Sequence, residues 1–391
     1  MDFFNRFYQT DRSFFESKNC IHTATEIAHQ MLAWRELCEI LRSKKNEAND
    51  FFSRLGNLKE YRIILTGAGS SGFTGEAAVF SINKSAGLNC EAIHTTDIVS
   101  APHSVLADKP TLLVSFARSG YSPESMGAVI CARNIIKNLY ELSFVCDGAS
   151  ALCRLTGESP RGLSIVMPER TLDKAFAMTS SVSAMLLACF ALFNIDKLDS
   201  IISDIGLLAD SVEMQGLAEK AKTWAAKNYD RLVVIGSGCN KGLAREAALK
   251  TLELSSGTVC SSAESALAFR HGPKSIINRN TLTVHFISND PLTYKYDLDL
   301  LAEICSESAG NRVIALSAKE IPFKTDENIS IPALNYSYAG DLCCGINFLV
   351  FAQLLAMFKS INLNIPTDNP SVSGKLSRVV KGVTLYEMDR I

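Results

Sequence analysis

No C-x-x-C pair occurs in this sequence, although twelve cysteines are scattered over its 391 residues. The six histidines form no H-x-x-x-H pair. These absences remove the common zinc and dithiol spacings, and no metal site is expected. Cys343 and Cys344 are adjacent and poorly placed to bridge each other, so reduced, mostly buried thiols in a cytoplasmic protein are expected. Charge of one sign is also lacking: the net value of −2 gives no reason to expect nucleic acid as a partner. The opening stretch "MDFFNRFYQTDRSFFESKNC" interrupts its aromatics with charges and does not read as a signal peptide. The longest apolar runs, 184–193 and 346–358, are too short to span a bilayer and read as buried core helices, so no membrane partner is expected. What is present is ordinary globular composition, 47% hydrophobic and 20% charged, in a chain long enough for two domains.

An internal repeat divides the chain. "RIILTGAGSSGFTGEAA" (62–78) resembles "LVVIGSGCNKGLAREAA" (232–248), each an apolar strand, a G-x-G turn and a helical segment ending in Glu-Ala-Ala. "TLLVSFARS" (111–119) faces "TLTVHFISN" (281–289), and "LSFVCD" (142–147) faces "RVIALS" (312–317). All three pairs lie about 170 residues apart and in the same order, which points to a duplicated unit. The runs are short, rich in Val, Ile and Leu, and separated by amphipathic helical stretches. That pattern predicts an α/β fold of two tandem doubly wound parallel sheets, flavodoxin-like or Rossmann-like. The expected divisions are a helical segment over 1–45, α/β domains over 46–203 and 204–365, and a C-terminal tail over 366–391 laid across the body. In the first segment Thr23 and Glu26 have capping-box spacing, and Ile27, Met31, Trp34, Leu37 and Leu41 follow on one helical face. This is expected to be a packing helix without chemistry.

Ligands of such sheets bind beyond the carboxyl ends of the strands, where helix N-termini present free N–H groups. "SFARSGYSPES" (115–125) falls at such a place. Two readings fit it. Ser119 and Ser122 offer hydroxyls to a dianion with Arg118 adding a charge-assisted bond, or they merely turn the chain and cap the next helix. The second copy has "SNDPLTYK" there, without the Ser-Gly turn, which favours the anchor over a structural device kept by both copies. "GAGSSG" (67–72) lacks the third glycine and downstream acid of a dinucleotide fingerprint, so no NAD is expected; Ser70 and Ser71 remain donors for sugar hydroxyls. In "REAALKTLELSSG" (245–257), Glu246, Lys250 and Glu253 fall on one helical face. Taken alone, they read as a solvated stripe of ion pairs. His271, before Gly-Pro, sits in a turn.

The order G-x-G-S-S, S-G-x-S, E-x-x-x-K-x-x-E and H-G-P resembles the SIS (sugar isomerase) family, and in particular the isomerase half of glucosamine-6-phosphate synthase. The resemblance covers most of residues 50–390. "SFARSGYSPES", "PERTLDKAFAMTSS" and "AFRHGPKS" look like the AgaS-type members, which are assigned as galactosamine-6-phosphate deaminase/isomerases or tagatose-6-phosphate ketose/aldose isomerases. The resemblance implies that Glu253 moves the proton between C1 and C2 and that His271 opens the sugar ring, in such enzymes from a neighbouring subunit of a homodimer or larger oligomer. It implies that Lys381 meets the open-chain carbonyl and that Ser119, Ser122 and Ser150 bind phosphate. Ala117 stands where the family has a further hydroxyl, a gap that Arg118 is expected to compensate. Glu246 and Lys250 are expected to support the helix and orient Glu253.

The residue types suit that chemistry. A histidine shuttles the ring-opening proton near neutrality, and a carboxylate acts as base above the cis-enediol plane. A cation steadies charge on oxygen, and the phosphate supplies remote binding energy. No cofactor is required. Three functions are therefore in view: a deaminase converting galactosamine 6-phosphate to tagatose 6-phosphate and ammonia, a plain aldose–ketose isomerase of hexose 6-phosphates, and a sugar-phosphate sensor without turnover. The first is favoured, since a sensor needs the phosphate loop but not the base. No basic helix-turn-helix segment and no glutaminase half is expected, so ammonia is exchanged with solution.

Overall fold

The computed structural model describes residues 3–214, 216–307, 309–331, 336–371, 378 and 382–386. Its first sheet contains β1 (Arg62–Thr66), β2 (Cys90–Ala92), β3 (Thr111–Ala117), β4 (Leu139–Val145) and β5 (Gly162–Val166) in the order β2-β1-β3-β4-β5. The second contains β6 (Arg231–Gly236), β7 (Cys260–Glu264), β8 (Thr281–Phe286), β9 (Arg312–Ser317) and β10 (Glu327–Ser330) in the order β7-β6-β8-β9-β10. Every pairing is parallel, and the two orders are the same. The duplication read from the sequence is thus a duplication of topology.

Alternation along the strands explains the layering. Ile63 and Leu65 of β1 and Leu232 and Val234 of β6 enter one continuous core between the sheets. Ile64 faces a smaller outer cluster, and Val233 and Ile235 face another. Both faces of each sheet are covered, which is why the strands are apolar runs with no polar face. The helices that matter below are α1 (Gln30–Leu55), α2 (Ser70–Ala86), α3 (Pro123–Ile135), α4 (Ala151–Gly157), α5 (Ser180–Phe193), α6 (Cys239–Leu254) and α7 (Gly340–Asn362). The divisions drawn from sequence at 45 and 203 fall inside helices, α1 and Leu198–Met214. Helical packing surfaces run through both positions and leave no linker there.

Three expectations are corrected. The run 346–358 belongs to α7, whose 23 residues are long and apolar enough to cross a bilayer, yet 94% of its most apolar window is buried within the protein. Thr23 does not cap a helix, because the first helical turn already begins at Ile21. Its cap is supplied from the far end of the chain: Asp368 accepts N–H bonds from His22 and Thr23 at 2.9 and 2.8 Å. Glu26 is likewise no capping-box partner. It is buried and accepts from the backbone N–H groups of Lys174 and Ala175.

The two units meet where α2 crosses α6. A Cβ on Gly242 would lie 2.3 Å from the Ala77 nitrogen, so only glycine permits this approach. Glu76 of α2 pairs with Arg245 of α6 beside the crossing, and His94 joins the same carboxylate at 2.9 Å. Gly242→Ala should therefore lower stability by about 1–3 kcal/mol through overpacking against backbone. A denaturant midpoint equal to that of the unaltered protein would show that the helices are not held this close.

Candidate active site

The carboxyl ends of β1, β3 and β4 lie at one edge of the first sheet. After β1 a tight turn delivers Ser70 and Ser71 into the first turn of α2, where both are buried. After β3 come Arg118, Ser119 and Gly120, then Ser122 as the N-cap of α3 with Pro123 at its first position. After β4, Ser150 caps α4. The last two loops are locked together. The Leu152 N–H donates to the Gly120 carbonyl at 3.1 Å, and a Cβ on Gly120 (φ +65°) would lie 2.5 Å from Ser150 Oγ.

The hydroxyls do have the structural jobs of the plainer reading. Ser122 Oγ accepts from Ser125 N at 3.3 Å, Ser150 Oγ from Cys153 N at 3.2 Å, and Ser119 Oγ from Tyr121 N at 3.4 Å. Each such bond uses a lone pair and leaves the O–H free to donate, so capping and anion binding are compatible. Ser122 also exchanges a hydroxyl bond with Ser125 at 2.7 Å.

On α6 the acidic and basic residues are not a solvated stripe. Glu246 and Lys250 are fully buried, while Glu253 is partly exposed. The Lys250 ammonium lies 3.2 Å from Glu246 Oε1, donates to Glu253 Oε2 at 2.7 Å, and donates to Ser70 Oγ at 2.9 Å. One cation thus joins the base helix of the second unit to the G-x-G-S turn of the first. Burial pushes the Glu246 carboxyl up to about 7, against the pull of Lys250. Burial also works against the Lys250 charge, but the two carboxylates outweigh it and its pKa rises above the ordinary lysine value.

Arg118 is turned away from the role expected of it. Its guanidinium is 7% exposed and donates to the carbonyls of Ala175 and Phe176, both at 3.2 Å, and of Arg378 at 2.9 Å. Burial lowers the Arg118 pKa, against the pull of carboxylates that include Asp173, Glu26 and Glu253. His271 is exposed on the turn after Ala266–Phe269 and makes no bond to Glu253 within the chain. Lys381 lies outside the described residues.

Sequence reasoning assigned no role to the loop 173–179, although Arg118 and Ser71 both meet it. Asp173 is buried there and accepts from Thr179 N, Ser181 N and the Ser181 hydroxyl at 2.8, 3.1 and 2.6 Å. Met178 brings its sulfur to 3.8 Å from Ser71 Oγ. The loop belongs to the quoted "PERTLDKAFAMTSS", a stretch with no repeat partner and no motif to signal a task.

The second unit differs at the corresponding edge. Asp341, in the first turn of α7, accepts from Asn289 N at 2.9 Å and from Ser288 Oγ at 3.3 Å. A carboxylate of the chain itself occupies the donors that follow β8. The adjoining cavity of about 610 Å³ is lined by Asp341 and by Asp290, which Lys84 pairs at 2.8 Å.

A model of the SIS domain matches residues 58–195. Over nearly the whole chain, the sequence is 38% identical to a Streptomyces coelicolor protein named "Putative D-galactosamine-6-phosphate deaminase AgaS", covering 95% of this chain and 97% of that one. The solved tagatose-6-phosphate ketose/aldose isomerase from Escherichia coli superposes with a TM-score of 0.86 at 34% identity, covering 94% of this chain and 97% of that one. The C-terminal domain of glucosamine-fructose-6-phosphate aminotransferase from Francisella tularensis shares the fold, with a TM-score of 0.72 at 20% identity over 89% of this chain and 98% of that domain. With full-length relatives at 38% and 34% identity and the SIS domain matched over 58–195, the chain belongs to the SIS family, in its AgaS branch.

Proposed function

We propose that this protein is a deaminating isomerase that converts galactosamine 6-phosphate to tagatose 6-phosphate and ammonia. The observation that supports the reading is the Lys250 bridge, which ties Glu253 to the Ser70 turn of the other unit. Names borne by the relatives supply the substrate class.

In the proposed reaction the phosphate rests on the Ser119–Ser122 turn and the cap of α4 at Ser150. Remote binding of this kind orients C1 and C2 against the base. Glu253 takes the C2 proton of the open-chain aldehyde and returns it to C1 while a proton from the amine passes to O1, so that the C1 aldehyde becomes a hydroxymethyl group and the C2 amine an imine. Water adds at C2, the carbon–nitrogen bond breaks, ammonia leaves with the transferred protons, and the ketone remains. Lys250 fixes the carboxylate through its 2.7 Å bond, and Glu246 completes the ammonium's surroundings. His271, exposed on its own chain, is assigned to the cleft of a second copy in a homodimer, where it opens the ring. Lys381 is assigned to the carbonyl oxygen. The twelve free thiols suit a reducing, cytoplasmic setting.

The test is a coupled ammonia assay on galactosamine 6-phosphate, glucosamine 6-phosphate and tagatose 6-phosphate. Ammonia from the first is expected. Interconversion of keto and aldo sugar phosphates without ammonia would establish the plain isomerase instead, and binding without turnover would establish a sensor. Glu253→Gln should lower kcat about a hundred- to ten-thousandfold while substrate still binds. Full turnover in that variant would remove Glu253 from the mechanism. Ser119→Ala leaves the α3 cap intact and should raise KM about ten- to a hundredfold by removing a hydrogen bond to charge; an unchanged KM would move the phosphate elsewhere.

A pH dependence follows from Glu246. Its folded-state value of about 7 lies above the ordinary 4.5, so between these the folded chain holds a proton that the unfolded chain has lost. This contribution favours folding at low pH and is lost as pH rises through 7. The urea midpoint of Glu246→Gln should therefore vary less with pH across this window than that of the unaltered protein, and identical slopes would contradict the assignment.

A further inference from the structure

Arg118 directly follows β3, one residue before the Ser-Gly turn, where a cation would be expected to serve the phosphate. Its bonds go elsewhere. Its guanidinium donates to backbone carbonyls on two segments distant in sequence: Ala175 and Phe176 in the 173–179 loop, and Arg378 in the C-terminal tail. The loop it holds is fastened a second time, because buried Glu26 accepts the N–H groups of Lys174 and Ala175. Arg118 therefore joins Arg378 of the tail to a loop that is itself tied down.

The tail is fastened again further on. Leu385 reaches α3 at Gly127, where its Cδ2 lies 3.1 Å from the position a Cβ would take. Ser122, the cap of that same helix, belongs to the serine turn. Residues 378 and 385 are thus secured at the two sides of the proposed phosphate loop, by a charge-assisted bond and by an apolar contact. Lys381 lies between them in sequence, three positions past Arg378, within about 10 Å of extended chain.

We propose that Arg118 is a positioning residue that anchors the tail at Arg378 and through it serves the task assigned to Lys381, and that it is not the substitute phosphate ligand for the hydroxyl missing at Ala117. The inference rests on the deaminating isomerase reading for the task of Lys381. The anchoring itself does not.

The oxygen that Arg118 grips is the carbonyl of the Arg378–Val379 peptide bond, which is a tryptic cleavage site. Limited trypsin digestion of the full chain without substrate, followed by mass spectrometry, reads that grip directly. Cleavage after Arg378 should be about tenfold faster or more in Arg118→Met, since proteolysis follows the population of the opened segment. Leu385→Ala, a change at a partly exposed side chain that keeps every Arg118 bond, should also speed cleavage and guards against a general folding defect in Arg118→Met. An unchanged cleavage rate in both variants would overturn the anchor whatever the enzyme's reaction proves to be.

Kinetics then separates the two roles of Arg118. If it acts through the tail, Arg118→Met combined with Lys381→Met should lose no more kcat than Lys381→Met alone. Multiplying losses, with KM rising steeply in Arg118→Met, would return the guanidinium to the phosphate and overturn the proposal.

Discussion

A buried ammonium shared among a serine and two glutamates is the constraint on which the site depends. Lys250 cannot be removed from water without partners, and its partners come from both units of the duplication. Ser70 belongs to the turn after β1, and the glutamates belong to α6. Satisfying this one charge therefore fixes the register of α2 against α6, and the close crossing at Gly242 makes the same demand sterically. The cleft is a by-product of a core that spans both sheets. It is not a groove between two independent bodies.

The duplicated units have diverged in a chemically definite way. At the first, hydroxyls at the ends of β3 and β4 keep protons to donate. At the second, Asp341 takes the corresponding donors and brings a negative charge. What the second unit keeps is its helix, with Glu253 near its carboxyl end. Both conditions are needed for a single site: two anchors would bind two substrates without placing either against the carboxylate. The 173–179 loop and residue 378 of the C-terminal segment, neither of which has a counterpart in the repeat, are tied to Glu26 and Arg118.

Much of this was legible in the sequence, for identifiable reasons. Apolar strands buried on both faces and G-x-G turns at matching intervals report topology directly, because each is dictated by local stereochemistry and by covering helices. The spacing of Glu246, Lys250 and Glu253 placed them on one face correctly, but whether that face meets water or another helix depends on a contact some 180 residues away at Ser70. The in-chain partners of Arg118 were hidden for a similar reason. Its neighbours in sequence suggested phosphate, whereas its partners at 175, 176 and 378 are backbone carbonyls that no residue type advertises. The capping box at Thr23 and Glu26 failed because Asp368 and the 174–175 amides outcompeted the local arrangement.

The central claim is that one unit grips the phosphate while the other presents the base to the adjacent carbon. The most direct measurement is a crystal structure of Glu253→Gln with galactosamine 6-phosphate bound. The account predicts the phosphate against the Ser119–Ser122 turn, with C2 of the open chain about 3–3.5 Å from the residue 253 carboxamide. A phosphate seated at the Ser288–Asp290 edge, or a sugar chain that leads away from α6, would contradict it.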